Sequence, residues 1–321
     1  MTNQRPDDGE IDAVTLDHLA DAHHLASTAL TWLDASREYF RLPRSGHRDP
    51  NNDFKPLGEL ALAASLVMRE NTGGQRESRL APTLIEFAWE ELDRGTLLYE
   101  QQLRHPLLTD LMEIYAPFAR AGYRHAPLEE LLAHLTALRA TAVPEMMPNR
   151  RLAVLNAARV IGLPLSADME QVAERTWLGG TPEPWMIDWS TAYAVTHTVF
   201  HLTDWAARPK GLPKRLQEYL RAWLPVWLEI WLEAAQWDLV AELLLVDVCL
   251  EQPGYHPHAW RKLREAQHDN GMLPYGPHPT PERPEDAFTA NYHPTCVAAI
   301  AGTLAVSRGI GELARHAPAV T

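Results

Sequence analysis

Apolar residues recur at intervals of three and four from residue 13 to residue 316, whereas the strict alternation typical of strands is almost absent. This spacing predicts an all-α protein. Proline and glycine interrupt the pattern often enough to divide it into separate helices. We place about twelve helices on this basis, at 13–40, 56–70, 81–104, 106–122, 127–141, 149–162, 167–177, 185–206, 213–236, 238–251, 257–268 and 292–308, with a short tail helix at 309–316.

The later helices alternate in character. Those that begin near residues 149, 185, 238 and 292 are rich in small or apolar residues, and the helices between them are more charged or more aromatic. A closed ring of helical hairpins requires this alternation, because its inner helices are buried all round and its outer helices on one side only. We therefore predict a single domain over residues 13–316 whose even-ranked helices face inward, preceded by a flexible N-terminus at residues 1–12.

The segment 269–291 interrupts the helical pattern near the end of the domain. It is rich in proline, which disfavours a helix, and it is longer than most connections in compact domains. The prolines also restrict the chain enough to hold a defined shape without secondary structure. We predict that this loop is a lid over the mouth of a central cavity.

Charge and composition exclude several classes of protein. The chain has 321 residues, of which 46% are hydrophobic, and a formal net charge of -13. This charge disfavours nucleic acid as a partner. The N-terminus lacks the apolar segment of a signal peptide. The sequence also contains no run of about 18 apolar residues, which is the length that would predict membrane insertion. The two cysteines, Cys249 and Cys296, are too few for a disulfide framework, so we expect reduced thiols in a cytoplasmic protein.

One predicted helix carries a polar stripe. Ser190, Tyr193, His197, His201 and Asp204 follow one another at spacings of three and four, so they share one face with apolar residues behind them. A surface helix would carry lysine and glutamate there. The stripe therefore predicts the lining of an internal polar cavity. The alternative is that the two histidines are core residues satisfied by their neighbours.

The same stripe predicts a metal site. His197 and His201, at positions i and i+4, have the spacing of two imidazole ligands on one ion, and Asp204 could supply a third ligand. Zinc is the one cofactor that this pattern suggests.

A short motif near the C-terminus carries a family resemblance. Gln267 is followed after four residues by Gly271 and after four more by Tyr275. This spacing resembles the Gln-Trp repeat of terpenoid cyclases and protein prenyltransferase β-subunits. The resemblance implies an (α/α)6 toroid, in which the repeat ends an outer helix and leads into the next inner helix. The chain also resembles actinobacterial proteins associated with specialised metabolism.

Two further motifs extend this resemblance. Residues 292–296, Tyr-His-Pro-Thr-Cys, look like the start of an inner helix in prenyltransferase β-subunits, where the histidine is a zinc ligand. Asp247-x-Cys249 is similar to the Asp-x-Cys zinc ligands of the same family. The resemblance thus implies zinc ligation by His293, Asp247 and Cys249. Helical spacing, however, puts Asp247 near the end of its helix and about 180° from the residue that starts it.

The start of that helix is occupied by Asp238, with Glu242 one turn on. Glu242 is flanked by apolar residues, and a buried carboxylate needs a partner, whereas Asp238 could simply cap the helix. If the inner helices run parallel, their first turns share one rim. Carboxylates near a histidine can ligate a metal or divide acid and base roles. The predicted catalytic residues are Tyr193, His197, Asp238, Glu242 and His293.

Several familiar chemistries are missing from the sequence. It has no Gly-rich phosphate loop, no Gly-x-Ser-x-Gly elbow and no His-Glu-x-x-His motif. The predicted inner helices hold almost no lysine or arginine for a diphosphate. We therefore predict an enzyme that tailors a small molecule or a modified peptide by acid–base chemistry, with or without zinc, through cyclisation, elimination or hydrolysis. The alternatives are a non-catalytic ligand-binding protein and a helical scaffold for protein interaction.

Overall fold

The computed structural model describes residues 8–43, 50–72 and 74–316, and the regular elements in these ranges are helices without strands. The prediction of an all-α protein is confirmed. The α-helices of these ranges are α1 (Asp8–Ala35), α2 (Pro50–Glu70), α3 (Glu77–Glu91), α4 (Thr96–Arg104), α5 (Asp110–Arg120), α6 (Ala126–Thr136), α7 (Arg139–Ala142), α8 (Pro148–Ile161), α9 (Met169–Ala173), α10 (Trp189–Thr203), α11 (Lys214–Glu233), α12 (Trp237–Cys249), α13 (Pro257–Ala266) and α14 (Pro284–His316).

The predicted helix 81–104 is divided in two. Asp93, Arg94 and Gly95 have positive φ angles of 49°, 54° and 93°, so the chain leaves α3 and restarts as α4. A Cβ atom at Gly95 would lie 2.8 Å from the Trp89 ring. Glycine is required there by both the backbone angle and the packing.

The predicted loop 269–291 is shorter than expected. The final helix begins at Pro284 and continues without a break through the predicted tail helix. Proline is tolerated in the first helical turn because its missing N–H would have no partner there, and Glu285 and Asp286 favour the positive end of the helix dipole. At the other end of the chain, α1 begins at Asp8, so residues 1–7 of the predicted flexible N-terminus lie outside the described residues.

Six helices contact one another in cyclic order, and we call them the cyclic helices. Helix α2 packs against α5, α5 against α8, α8 against α10, α10 against α12, α12 against α14, and α14 against α2. The other long helices each pack against members of this set: α1 against α14, α3 against α2, and both α11 and α13 against α12. Helix α12 is the most enclosed, because every residue from Asp238 to Cys249 is buried.

Helices α2 and α14 run in the same direction, and so do α10 and α12, because their contacts follow the same order along both helices of each pair. In their first halves, a Tyr193 to Asp238 hydrogen bond joins α10 to α12, and a pair of His293 and Glu59 joins α14 to α2. Near their C-terminal ends, Ser307 of α14 bonds Glu70 of α2. Residues from the first halves of these helices are thus gathered at one rim, and the positive ends of their dipoles favour carboxylates there.

Helix α14 is similar to a membrane-spanning segment in its length and composition. Among the described residues, Pro284–Arg315 is long and apolar enough to cross a bilayer by length and composition alone, with a mean hydropathy of 1.3 in its best window. Within this fold 61% of that window is buried, and the helix packs against α1, α2 and α12. A central core helix meets the same two criteria.

Candidate functional site

The cyclic helices surround a cavity with a volume of about 650 Å³, to which every one of them contributes lining residues. This volume is in the range of pockets for small molecules. The cavity brings together the five residues predicted as catalytic, namely Tyr193, His197, Asp238, Glu242 and His293. Their catalytic role itself stays a prediction.

Helix α10 supplies two of these side chains, Tyr193 and His197, and hydrogen bonds fix its N-terminal end. A capping box fixes that start, since Asp188 accepts a hydrogen bond from the Thr191 N–H and Thr191 accepts one from the Asp188 N–H. One turn on, the Tyr193 hydroxyl donates to Asp238 Oδ2. His197 Nδ1 lies 2.7 Å from the Tyr193 carbonyl oxygen, which can only accept, so Nδ1 carries the proton. Nε2 of neutral His197 is left as the atom that can accept a proton.

Helix α12 supplies the two carboxylates, each about as buried as an apolar core residue. Asp238 and Glu242 are both 1% exposed. The suggestion that Asp238 caps its helix is wrong, because the N-cap is Gln236 and no side chain caps this end. Asp238 Oδ1 makes no hydrogen bond, while Glu242 Oε2 accepts one from the buried Thr196 hydroxyl.

His293, on α14, lies among three carboxylates. Its Nδ1 is 2.9 Å from Glu59 Oε2. Its Nε2 is 3.6 Å from Asp238 Oδ1 and 3.6 Å from Glu242 Oε1. The imidazole therefore bridges α2 and α12, and both of its nitrogens face carboxylate oxygens.

Burial and charge act in opposite directions on this cluster. Burial raises the pKa of Asp238 to about 6, against the lowering effect of His293. Burial alone would lower the pKa of His293, but the carboxylates of Glu59 and Asp238 raise it well above its usual value. Burial would likewise raise the pKa of Glu242, yet His197 and His293 hold it below its usual value. The cluster therefore favours positive charge at its centre.

Three partners in this network were not predicted from the sequence. Glu59 is a carboxylate in an apolar stretch of α2, which is the same signal that singled out Glu242. Thr196 has no distinctive pattern. Tyr275 was noted only as part of the Gln267 motif, yet its hydroxyl lies 3.2 Å from that of Tyr193. Because Tyr193 donates its proton to Asp238, Tyr275 is the donor in this second bond.

The predicted metal site at His197, His201 and Asp204 is not formed. Asp204 lies one residue beyond the end of α10 in the left-handed conformation, and its Oδ1 is 2.6 Å from an Arg120 nitrogen. His201 is on the same helix face as His197 but deeper, and burial lowers its pKa well below the usual value. Within the described part of the chain, one group of three ligand-type side chains has donor atoms within 4.8 Å of one another: Asp238, Glu242 and His293.

The zinc ligands implied by the Asp247-x-Cys249 resemblance are also not brought together. Asp247 accepts hydrogen bonds from the backbone N–H groups of Gly254 and Tyr255, at 2.8 and 2.9 Å, and so fixes the turn after α12. Burial raises the pKa of the Cys249 thiol to about 11, which disfavours the thiolate that zinc requires. Of that implied set, only His293 reaches the cavity.

A second polar cluster lines the cavity from α5 and α8. Arg150 makes two hydrogen bonds to Glu113, at 2.6 and 2.9 Å, and a longer one of 3.3 Å to Asp110. This bidentate pairing is the strong arrangement for arginine and carboxylate. The cation of this cluster is an arginine, whereas the basic side chains of the cluster around His293 are histidines.

The predicted lid meets the cavity through its first part. Tyr275 lines the cavity, and its backbone carbonyl accepts a hydrogen bond from the Asp238 N–H at 3.1 Å. The Tyr275 N–H donates to Asn291 Oδ1 at 3.0 Å. The segment from Gly271 to Gly276 is mostly buried, whereas residues 277–279 and 281–283 are exposed. The anchor lies at the rim, so the position fits a lid, although closure stays a prediction.

No curated protein and no solved structure matches the chain. A family model, described as a domain of unknown function (DUF6895), matches residues 26–303, which is most of the sequence and contains every cavity residue discussed above. The chain therefore belongs to the DUF6895 family.

Proposed function

We propose that the cyclic helices are the inner ring of an (α/α)6 toroid of the terpenoid cyclase type. Two observations support this proposal. The contacts of these helices close on themselves between α14 and α2. The cyclic helices also correspond to the even-ranked helices of the series predicted from the sequence, which are the ones expected to face inward.

We further propose that the protein is an enzyme that acts on a small molecule or a modified peptide within this cavity. One observation carries the proposal: titratable side chains from α2, α10, α12 and α14 contact one another on the wall of a cavity of ligand size. Burying two carboxylates without a salt bridge to lysine or arginine is costly, and a binding or catalytic use would explain why the fold retains them.

His197 is the group best placed to transfer a proton. Its Nδ1 is held by the Tyr193 carbonyl, so the ring is oriented, and its side chain remains 38% exposed toward the cavity. Asp238 and Glu242 lie beside it as groups that stabilise positive charge. This arrangement suits cyclisation, elimination or hydrolysis, since each needs a positioned base and a site for developing charge.

The charge of the lining narrows the substrate class. Five carboxylates line the cavity, at Glu59, Asp110, Glu113, Asp238 and Glu242, against Lys55, Arg120, Arg150 and His293, whose pKa is raised well above its usual value. Arg120 and Arg150 are themselves engaged with carboxylates. We therefore propose a neutral or cationic substrate and disfavour a diphosphate. Trp189, which is 51% exposed and lines the cavity, offers an apolar surface for part of that substrate.

Profiling of small molecules by mass spectrometry tests this function. Wild-type protein, Glu242→Gln and Asp110→Asn would be incubated with fractionated actinobacterial extracts, since we propose a role in specialised metabolism. We expect the wild type to convert at least one compound, and Glu242→Gln to do so about 10²–10⁴-fold more slowly. Asp110→Asn is the matched control, because it removes a cavity carboxylate outside the His293 cluster, and its turnover should fall much less than that of Glu242→Gln.

The same experiment separates the alternatives. A compound that is retained unchanged by the wild type and released by Glu242→Gln would favour a non-catalytic ligand-binding protein. If wild type and Glu242→Gln neither convert nor retain any compound differently, the proposed function is wrong, and a scaffold role is favoured.

A further inference from the structure

The side chains of Asp238, Glu242 and His293 share a pattern that the acid–base proposal does not explain. In each side chain, one polar atom already contacts a neighbour. Tyr193 donates a hydrogen bond to Asp238 Oδ2, and Thr196 donates one to Glu242 Oε2. His293 Nδ1 pairs with Glu59. The other polar atom of each points toward a common centre. These free atoms are Asp238 Oδ1, Glu242 Oε1 and His293 Nε2.

Asp238 Oδ1 gives this pattern a second, independent support. The side chain is 1% exposed, and this oxygen makes no hydrogen bond. A buried carboxylate oxygen without a partner is costly, and native proteins rarely retain one without a use for it. The atom is aimed into the cluster, at 3.6 Å from His293 Nε2.

We propose that Asp238, Glu242 and His293 bind one divalent metal ion, of which Zn²⁺ is the best probe, through these three free atoms. The spacing suits such an ion. Metal–ligand distances of about 2.0–2.1 Å place neighbouring ligands of a tetrahedral zinc ion about 3.3 Å apart. His293 Nε2 lies 3.6 Å from each carboxylate oxygen, close to that separation, and the donor atoms of the group all lie within 4.8 Å of one another.

The hydrogen bonds around the three side chains hold them in fixed orientations, as the hydrogen bonds to the ligands of a bound metal ion do. Glu59 accepts from His293 Nδ1–H, which fixes the ring and makes Nε2 the nitrogen that would exchange its proton for the ion. Tyr193 and Thr196 fix the two carboxylates in the same way, each through the oxygen that does not face the centre. Three protein ligands leave a coordination position open to the cavity, which is the arrangement of catalytic rather than structural zinc.

The ligand types indicate which ions fit. One imidazole and two carboxylates suit Zn²⁺ or Mn²⁺, and the set has no thiolate. Cys296 lines the same cavity but is not in the group of close donor atoms. This metal site deepens the proposed function, because an ion there would act in the same cavity. Its existence does not depend on that function, since ion binding is measured without substrate.

Metal content and calorimetry test the site on the full-length protein. After treatment with a chelator and its removal, wild-type protein should bind about one Zn²⁺ per chain by calorimetric titration and mass-spectrometric metal analysis. Glu242→Gln and His293→Gln should weaken binding at least 100-fold. Asp110→Asn, in the same cavity, should change it less than 3-fold.

Milder variants and a spectrum of the wild type cover the case in which a ligand variant does not fold. Glu59→Gln and Thr196→Val should each weaken Zn²⁺ binding about 10-fold, because they release a ligand from its fixed orientation. Zinc X-ray absorption of the wild type should show nitrogen and oxygen neighbours at about 2.0–2.2 Å and no sulfur at about 2.3 Å.

Three outcomes would overturn the site. They are a folded wild type that binds neither Zn²⁺ nor Mn²⁺, equal weakening by Asp110→Asn and Glu242→Gln, and sulfur in the zinc shell. Conversion of a compound by a protein that binds no metal would overturn this inference and leave the proposed function standing.

Discussion

Two clusters of carboxylates line the same cavity but differ in their cationic partners and in their exposure to solvent. On α5 and α8, Arg150 pairs with Glu113 and reaches Asp110. On α12 and α14, the cationic side chains near Asp238 and Glu242 are histidines, and in the described ion pairs neither carboxylate meets a lysine or an arginine. The first cluster is also more exposed to solvent, since the Asp110 side chain is 43% exposed, whereas that of Asp238 is 1% exposed.

This difference is the one expected between structural and functional uses of charge. The bidentate arginine pair offsets part of the desolvation of Glu113, although burial still raises the pKa of that carboxyl to about 7, so Arg150 limits the cost of this cluster. The cluster around His293 holds like charges in a buried position and leaves one oxygen without a hydrogen bond, which costs stability. Proteins retain such arrangements at binding and catalytic sites, where stability is exchanged for function.

The largest stability effect is expected at the structural cluster. Replacing Arg150 by methionine removes two charge-assisted hydrogen bonds from Glu113, whose pKa burial already raises to about 7, so Glu113 takes up a proton and the free energy of unfolding should fall by about 2 kcal/mol. Urea denaturation at neutral pH measures this change. The double variant Arg150→Met with Glu113→Gln should recover more than half of the loss. A fall below about 0.5 kcal/mol in the single variant would contradict a structural role.

At the cluster around His293, we expect a substitution to change the free energy of unfolding in the opposite direction. In chelator-treated protein, Asp238→Asn removes one of two repelling buried carboxylates while keeping an oxygen that can accept from Tyr193. The free energy of unfolding should therefore rise by about 1 kcal/mol. The same urea experiment detects it. If Asp238→Asn destabilises the protein as much as Arg150→Met, the two clusters do not differ in the way argued above.

The sequence predicts the helices well where the apolar period is uninterrupted, and it fails at the ends. Pro284 was included in a loop because the segment is rich in proline, although the first turn of a helix accepts it. The break at Asp93–Gly95 was missed because two residues other than glycine adopt the left-handed conformation there. Such choices depend on packing around the turn, which local propensity does not contain.

The sequence also identifies the residues of the site better than their partners. The apolar neighbours of Glu242 singled it out, since burial of a carboxylate needs a reason, and the Tyr-His-Pro-Thr-Cys motif at residues 292–296 singled out His293. Glu59 was missed because its contact with His293 spans 234 positions and depends on α14 packing against α2. His201 and Asp204 were assigned to one ion from spacing alone, but α10 ends at Thr203, and Asp204 turns toward Arg120.

The smallest effect on stability is expected at the predicted lid, which belongs to the functional side of the cavity. Residues 279–282 are largely exposed, lie beyond the anchored Tyr275 and precede Pro284. Deleting these four residues should change the free energy of unfolding by less than about 0.5 kcal/mol, because few contacts are lost. If the segment covers the mouth, the deletion should let a chromophoric chelator remove Zn²⁺ from the loaded protein several-fold faster, since a lid limits access. A matched deletion of Leu165 and Ser166, which are exposed beyond the C-terminal end of α8, should leave that rate unchanged. Equal rates in the wild type and the lid deletion would mean that the segment is a surface loop anchored at the rim by Tyr275 and nothing more.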